Sequence, residues 1–193
     1  MKQSELCKYQ AIKEAIEAGH KTTYATSKNM EKYKTFIKKL IPDNCQTIMD
    51  LGCGRGDFSK WLSLEFPAKH IVGVDPVFTK MCEEKHQPWR QDNIFFTVGD
   101  TTNIPCCADT MLCFDVLEHI HPEELEKSLQ QIKEHTNMLF IAKIATGSDI
   151  CGFSSAKGEE LHPIQQPLEW WKTQLEKYFN KVYINMNLII CYK

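Results

Sequence analysis

The amino-acid sequence predicts an α/β fold, with a seven-stranded, mostly parallel sheet doubly wound by helices in one domain over residues 1–193. Two observations predict it. Short runs rich in Ile, Val, Phe and Met alternate with longer stretches whose apolar residues recur at helical spacing. The chain of 193 residues is also long enough for one well-buried core and short for two, and no repeat or Pro/Gly/Ser-rich linker divides it. Its 42% apolar and 25% charged residues exclude a disordered or fibrous chain.

The strand candidates come first. "QTIMDLG" (46–52), "HIVGVD" (70–75), "NIFFTVGD" (93–100), "MLCFDV" (111–116) and "MLFIAKI" (138–144) read as buried strands, apolar on both faces. The last stretch, "KVYINMNLIICYK", holds two further runs, Val182–Ile184 and Leu188–Tyr192, parted by the turn-prone "NMN". A hairpin there puts one antiparallel strand into the sheet.

Helices fall between the strands. "GDFSKWLSLEF" spaces Phe58, Trp61, Leu62 and Phe66 by three and four. "PEELEKSLQQIKEH" opens on Pro122 and two glutamates, then repeats Leu125, Leu129 and Ile132, a favourable helix start. "PLEWWKTQLEKYF" opens on Pro167 and repeats Trp171, Leu175 and Phe179, so Trp171 is expected buried and Trp170 nearer a cleft. Ahead of the first strand, residues 5–18 and 28–41 read as two helices. The polar segment "GHKTTYATS" between them is able to lie across a site. The expected organisation is an N-terminal helical lid over 1–41, a core over 42–193, and a substrate loop over 147–166, which is long for a segment with no structure of its own.

Charge and cysteine usage exclude several classes of function. The formal net charge of -2 gives no general attraction to nucleic acid. The lysines at 28, 32, 34, 38 and 39 read as a solvated helix face interrupted by Glu31 and Asp43. No apolar run approaches the ~18 residues of a membrane span, and the first ten residues lack the apolar core of a signal peptide. Nine cysteines then point to reduced thiols and a cytoplasmic setting. No C-x-x-C occurs, and His119 and His121 lie two apart with no third ligand nearby in sequence, so no metal is expected.

The chemistry centres on "IMDLGCGRGDF" (48–58). A P-loop would need a lysine after the last glycine, where Asp57 stands instead. A dinucleotide fingerprint spaces its glycines G-x-G-x-x-G, whereas Gly52, Gly54 and Gly56 are G-x-G-x-G and flanked by Asp50 and Asp57. Two carboxylates repel a pyrophosphate but suit a ligand with a cationic ammonium, such as the methionine end of S-adenosylmethionine (SAM). Asp75 closes the next strand, about 20 residues on, where nucleotide-binding sheets place a carboxylate for the ribose hydroxyls. Gly99, Asp100 and Thr101 end the third strand, where an aspartate suits an adenine amine. Asp115 and Val116 end the fourth. Four successive strands thus finish in polar residues at the ligand-binding edge of the sheet.

This ordered set resembles the class I, Rossmann-like SAM-dependent methyltransferases, in particular small stand-alone members of bacterial and phage type. "MDLGCGRGDF", "VGVDP", "VGDTTNIP" and "FDVLEHI" match that family's motifs in order, and the likeness covers roughly residues 40 to 193. It implies SAM as cofactor, with Asp50, Gly52 and Gly54 at its methionine end and Gly56 allowing close backbone approach. It places Asp75 on the ribose, Pro76 and Val77 by the adenine, Asp100 and Thr101 at its amine, and Asp115, Val116 and His119 nearest the sulfonium. Cys53, Phe58 and Gly99 complete the implied set, Cys53 as a small filler rather than a nucleophile.

Methyl transfer needs alignment and water exclusion, and a general base only for an acceptor that still holds its proton. The candidate catalytic residues are His119, Glu118 and His162, with His121 read as a turn residue. Tyr24, His162, Gln165 and Trp170 are the candidate acceptor contacts. The expected acceptor is an O or N atom of a small molecule or glycan precursor, handled by a monomer or homodimer away from membranes. Nucleic-acid methylation is disfavoured: the fourth strand lacks an Asn/Asp-Pro-Pro-aromatic motif, and the Pro105–Cys106 pair precedes that strand. A nucleic-acid or protein acceptor, or a SAM-binding subunit without turnover, stands as the alternative.

Overall fold

The computed structural model describes residues 30–77, 92–149, 158 and 160–193. Their elements run in the order α1 (Glu31–Leu40), β1 (Thr47–Leu51), α2 (Asp57–Glu65), β2 (His70–Asp75), β3 (Ile94–Val98), β4 (Ala108–Phe114), α3 (Leu125–His135), β5 (Thr136–Lys143), α4 (Leu168–Leu175), β6 (Lys181–Asn185) and β7 (Leu188–Tyr192). The proposed 5–18 helix, the "GHKTTYATS" segment and Tyr24 lie outside the described residues.

The strands form one sheet in the order β3-β2-β1-β4-β5-β7-β6. All neighbours are parallel from β3 through β5, and β7 alone runs against both β5 and β6. The chain winds outward from β1 through β2 to β3, then crosses to β4 and winds the other way. The switch point between β1 and β4 is where an open α/β sheet forms its crevice.

Strand alternation divides the core into two layers. Met49, Leu51, Met111, Cys113, Phe140 and Ala142 meet Leu129 and Ile132 of α3 and Trp171 and Leu175 of α4 on one face. Ile48, Ile71, Leu112, Leu139 and Ile141 meet Tyr33 and Ile37 of α1 and Phe58 and Leu62 of α2 on the other. α1 is therefore part of the core packing. Lys32, Lys38 and Lys39 are exposed, whereas Lys34 is half-buried over the Trp61 ring and pairs with Glu31 at 2.6 Å.

Three expectations need correction. β3 is an edge strand, with Phe95 57% and Val98 62% exposed, so it is not buried on both faces. The proline-led segment first makes a 3₁₀ turn, Pro122–Glu124, and α3 begins only at Leu125. The hairpin turn is two residues, Met186 and Asn187, both at positive φ (52° and 62°), with Asn185 facing Leu188. Such a turn matches the twist of the strands it joins.

Candidate functional site

The site is built where β1 and β4 end side by side. β1 stops because Gly52 turns the chain at φ 80°, and Gly54 and Gly56 follow at 53° and 77°. A side chain in these conformations is strained. At Gly52 it would also collide, since a Cβ would come within 2.2 Å of the Val116 side chain beyond β4. The amides of Gly52 and Cys53 both donate to the Val74 carbonyl, at 2.7 and 3.0 Å, which ties the turn to β2. Gly56 then caps α2, leaving that helix's first N–H groups at the turn. Cys53 is buried, and its sulfur would stand 3.1 Å from a Cβ at Gly73.

Asp75 is held as an acceptor. Its Oδ2 accepts from the Gly54 amide and its Oδ1 from the Val77 amide, each at 2.9 Å. One carboxylate thus joins the glycine turn to the Pro76–Val77 turn.

Asp50 lies next to the end of β1, just ahead of the turn. It is buried on the α2 side of the sheet and accepts from the Ser59 hydroxyl. Burial pushes its carboxyl up to about 7 despite that hydrogen bond, with the nearby Asp75 charge adding to the rise. Phe58 stacks on Trp61 with ring centroids 5.3 Å apart and lies the same distance from Phe114. It is a core residue under the turn.

The end of β3 is similarly anchored. Gly99 is buried against Pro105 and Val74. Asp100 accepts from the Thr102 amide and hydroxyl, both at 2.7 Å. The Thr101 hydroxyl lies 3.0 Å from that of Ser128 in α3, so it braces the loop against a helix.

At the end of β4, Asp115 sits at φ 54° and pairs with Lys143 of β5. A tight turn over Leu117–His119 then turns two titratable groups inward. Glu118, one of the candidate catalytic residues, is fully buried. Its Oε1 accepts from the Ala145 amide at 2.8 Å, and its Oε2 has no hydrogen-bond partner. Burial raises its carboxyl to about 8. His119 donates from Nδ1 to the Leu161 carbonyl at 2.7 Å, and burial lowers its imidazole to about 4.

The loop after β5 brings His162 to the same place. Glu160 staples it by accepting from the amides of Asp149 and His162, at 2.8 and 2.9 Å. The Leu161 amide bonds the Asp149 carbonyl at 2.8 Å. His162 is buried and donates from Nδ1 to the Gly147 carbonyl at 2.6 Å, and its ring centroid lies 4.6 Å from that of His119. The three candidate catalytic residues, Glu118, His119 and His162, therefore share one cluster.

The acceptor candidates are less tightly gathered. Gln165 is exposed, and its amide donates to the His162 carbonyl at 3.2 Å. Trp170 is half-buried and edge-on to the fully buried Trp171, with centroids 5.1 Å apart. His121 stays in its turn, its Nδ1 accepting from the Glu123 amide at 3.4 Å. Lys143, Ser59, Ser128, Asp149 and Glu160 had no motif to mark them. Ser59 directly follows Phe58, and Asp149 and Glu160 fall within the 147–166 loop, so these three lay beside positions already singled out.

Residues 48–138, from β1 into β5, match a family model described as a methyltransferase domain. A tRNA U34 carboxymethyltransferase of Shewanella sediminis is 38% identical over 52 residues, which is 27% of this chain and 16% of that protein. A malonyl-acyl-carrier-protein O-methyltransferase of Legionella pneumophila is 49% identical over 45 residues, 23% of this chain and again 16% of that protein. The likeness thus spans a small part of either relative's length. The structure of a Burkholderia thailandensis 1,6-didemethyltoxoflavin-N1-methyltransferase, with bound 1,6-didemethyltoxoflavin and S-adenosylhomocysteine, covers 100% of this chain and 91% of its own. The two share the fold at a TM-score of 0.73 and 13% identity.

Proposed function

We propose that the chain is a class I SAM-dependent methyltransferase that transfers a methyl group from SAM to an oxygen or nitrogen atom of a small-molecule or glycan-precursor acceptor; the methyltransferase-domain match over residues 48–138 and the fold shared with the Burkholderia enzyme support this reading. The observation that carries this reading is the convergence of four strand ends on the β1/β4 switch point. There Gly52 leaves a cradle that a Cβ would fill, and Asp75 is fixed by two backbone amides. SAM would supply an electrophilic methyl carbon on a sulfonium.

The chain's own residues would hold the donor and align the acceptor. Gly52, Gly54 and Gly56 keep the backbone bare for close approach, and Asp50 fixes the turn to α2 through Ser59. Asp75 would accept from the ribose hydroxyls, while Asp100 and its turn would border the adenine. Asp115 and Val116 close the crevice from β4, with Lys143 holding the Asp115 carboxylate in place. The His119–His162 pair is the proton acceptor for a hydroxyl nucleophile. Both rings donate Nδ1–H to a carbonyl, which leaves Nε2 with the basic lone pair. Glu118, raised to about 8, holds its proton near neutral pH and is not the base.

An acceptor screen with methyl-labelled SAM tests the reading. Label transferred to hydroxylated or nitrogenous small molecules, and lost on His119→Ala, supports it. The partial match to tRNA U34 carboxymethyltransferases makes tRNA the one macromolecule to include; transfer to tRNA alone would overturn the small-molecule assignment.

A further inference from the structure

We propose that Glu118, His119 and His162 form a binding site for one divalent transition-metal ion, with Asp149 as an outer carboxylate. One ligand atom from each of the three residues falls within 4.8 Å of the others. Ligands on a tetrahedral ion with bonds of roughly 2.1 Å stand roughly 3.4 Å apart. Closure onto an ion therefore needs side-chain shifts of about 1 Å.

Two independent features are those of a metal site. The Glu118 Oε2 is wholly buried and has no hydrogen-bond partner, while its Oε1 is fixed by the Ala145 amide. An orphaned carboxyl oxygen is costly in a protein interior, and a cation in the cluster, displacing the Glu118 proton to solvent, would satisfy it. Both imidazoles are also oriented from behind. Nδ1 of His119 donates to Leu161 O at 2.7 Å and Nδ1 of His162 to Gly147 O at 2.6 Å. A carbonyl only accepts, so each neutral ring carries its lone pair at Nε2. Metal-bound histidines are held by this same outer arrangement.

The frame is cross-linked and suited to a fixed geometry. The Ile164 amide donates to the Glu118 carbonyl at 3.4 Å, and Glu160 joins the two strands of the loop. Asp149 Oδ2 lies 3.8 Å from His162 Nε2 on the more exposed side. Two imidazoles with carboxylate select zinc, manganese, iron(II) or cobalt over magnesium or calcium, which take oxygen ligands. Three protein ligands leave a position for an acceptor oxygen, whose proton the ion would make easier to lose. In that state the two Nε2 lone pairs are occupied by the ion, and the acceptor's proton passes to solvent water instead of to a histidine. This last role rests on the methyltransferase reading; the ion site itself does not.

The test is calorimetric titration of chelator-stripped protein with Zn²⁺ and Mn²⁺, with Mg²⁺ as control, together with the visible spectrum of the Co²⁺ form. The expected result is one equivalent bound, a cobalt spectrum without a thiolate charge-transfer band, and affinity lowered about 100-fold or more by His162→Ala. His121→Ala, at the exposed neighbouring turn, should bind as wild type. If His162→Ala does not fold, His119→Gln takes its place. No binding of any of these ions, a thiolate band, or equal affinity in wild type and His162→Ala would overturn the site. SAM titrated into the same stripped protein reports separately on the methyltransferase reading, so either can fail alone.

Discussion

Replacing Glu118 by glutamine should make the protein more stable at alkaline pH. The carboxyl is raised from 4.5 to about 8 by burial, with the Asp115 charge adding to the rise and Lys143 opposing it. Between these two values the native state keeps a proton that the unfolded chain has released. Stability from this group is therefore full below 4.5 and is lost as pH rises towards 8. With a native value of 8, the loss between about pH 6.5 and 8.5 comes to roughly 2 kcal/mol. For a chain of this size that corresponds to roughly 4–8 °C in Tm. Glutamine keeps an oxygen for the Ala145 amide and has no proton to lose. The two proteins differ at one side chain, so the titrations of Asp50 and His119 enter both alike. Melting chelator-treated wild type and Glu118→Gln across pH 6.5–8.5 should show the Tm of the variant gaining on wild type by that amount. A constant difference across the range would refute a buried, protonated Glu118.

Two further substitutions probe the glycine turn and its partner. Asp75→Ala removes the carboxylate that accepts from Gly54 and Val77 and should weaken SAM binding by about 10- to 100-fold, the worth of a charged hydrogen-bond acceptor; unchanged affinity would remove Asp75 from the ribose. Gly52→Ala puts a Cβ at φ 80° and 2.2 Å from the Val116 side chain, so thermal unfolding should fall by roughly 5–15 °C; a wild-type melt would show that the β1–β4 crevice is looser than described.

Much of the fold was legible because it is written in short-range pattern. β2 and β7 occupy the predicted runs, and Trp171 is buried as its spacing required. The glycine turn was legible because the three glycines all take positive φ, which other residues avoid. Less visible were contacts made across the sheet. Nothing local marks Ser59 as the partner of Asp50, Lys143 as the partner of Asp115, or Ser128 as the brace for Thr101. The cluster itself illustrates the limit. In sequence His119 pairs naturally with His121, two residues away. In space His121 stays in its turn, and a loop more than forty residues downstream delivers His162 to Glu118 and His119. The exposed face of β3 was missed for the same reason, since an apolar run does not show whether its strand lies at an edge.

The central claim is that the switch-point crevice binds the methyl donor. Calorimetric titration of the purified protein with SAM and with S-adenosylhomocysteine tests it most directly. Saturable one-to-one binding of both, unaffected by ATP or NAD and weakened in Asp75→Ala, is the result predicted. No heat from either ligand, or displacement by NAD, would contradict it and assign the glycine turn to something else.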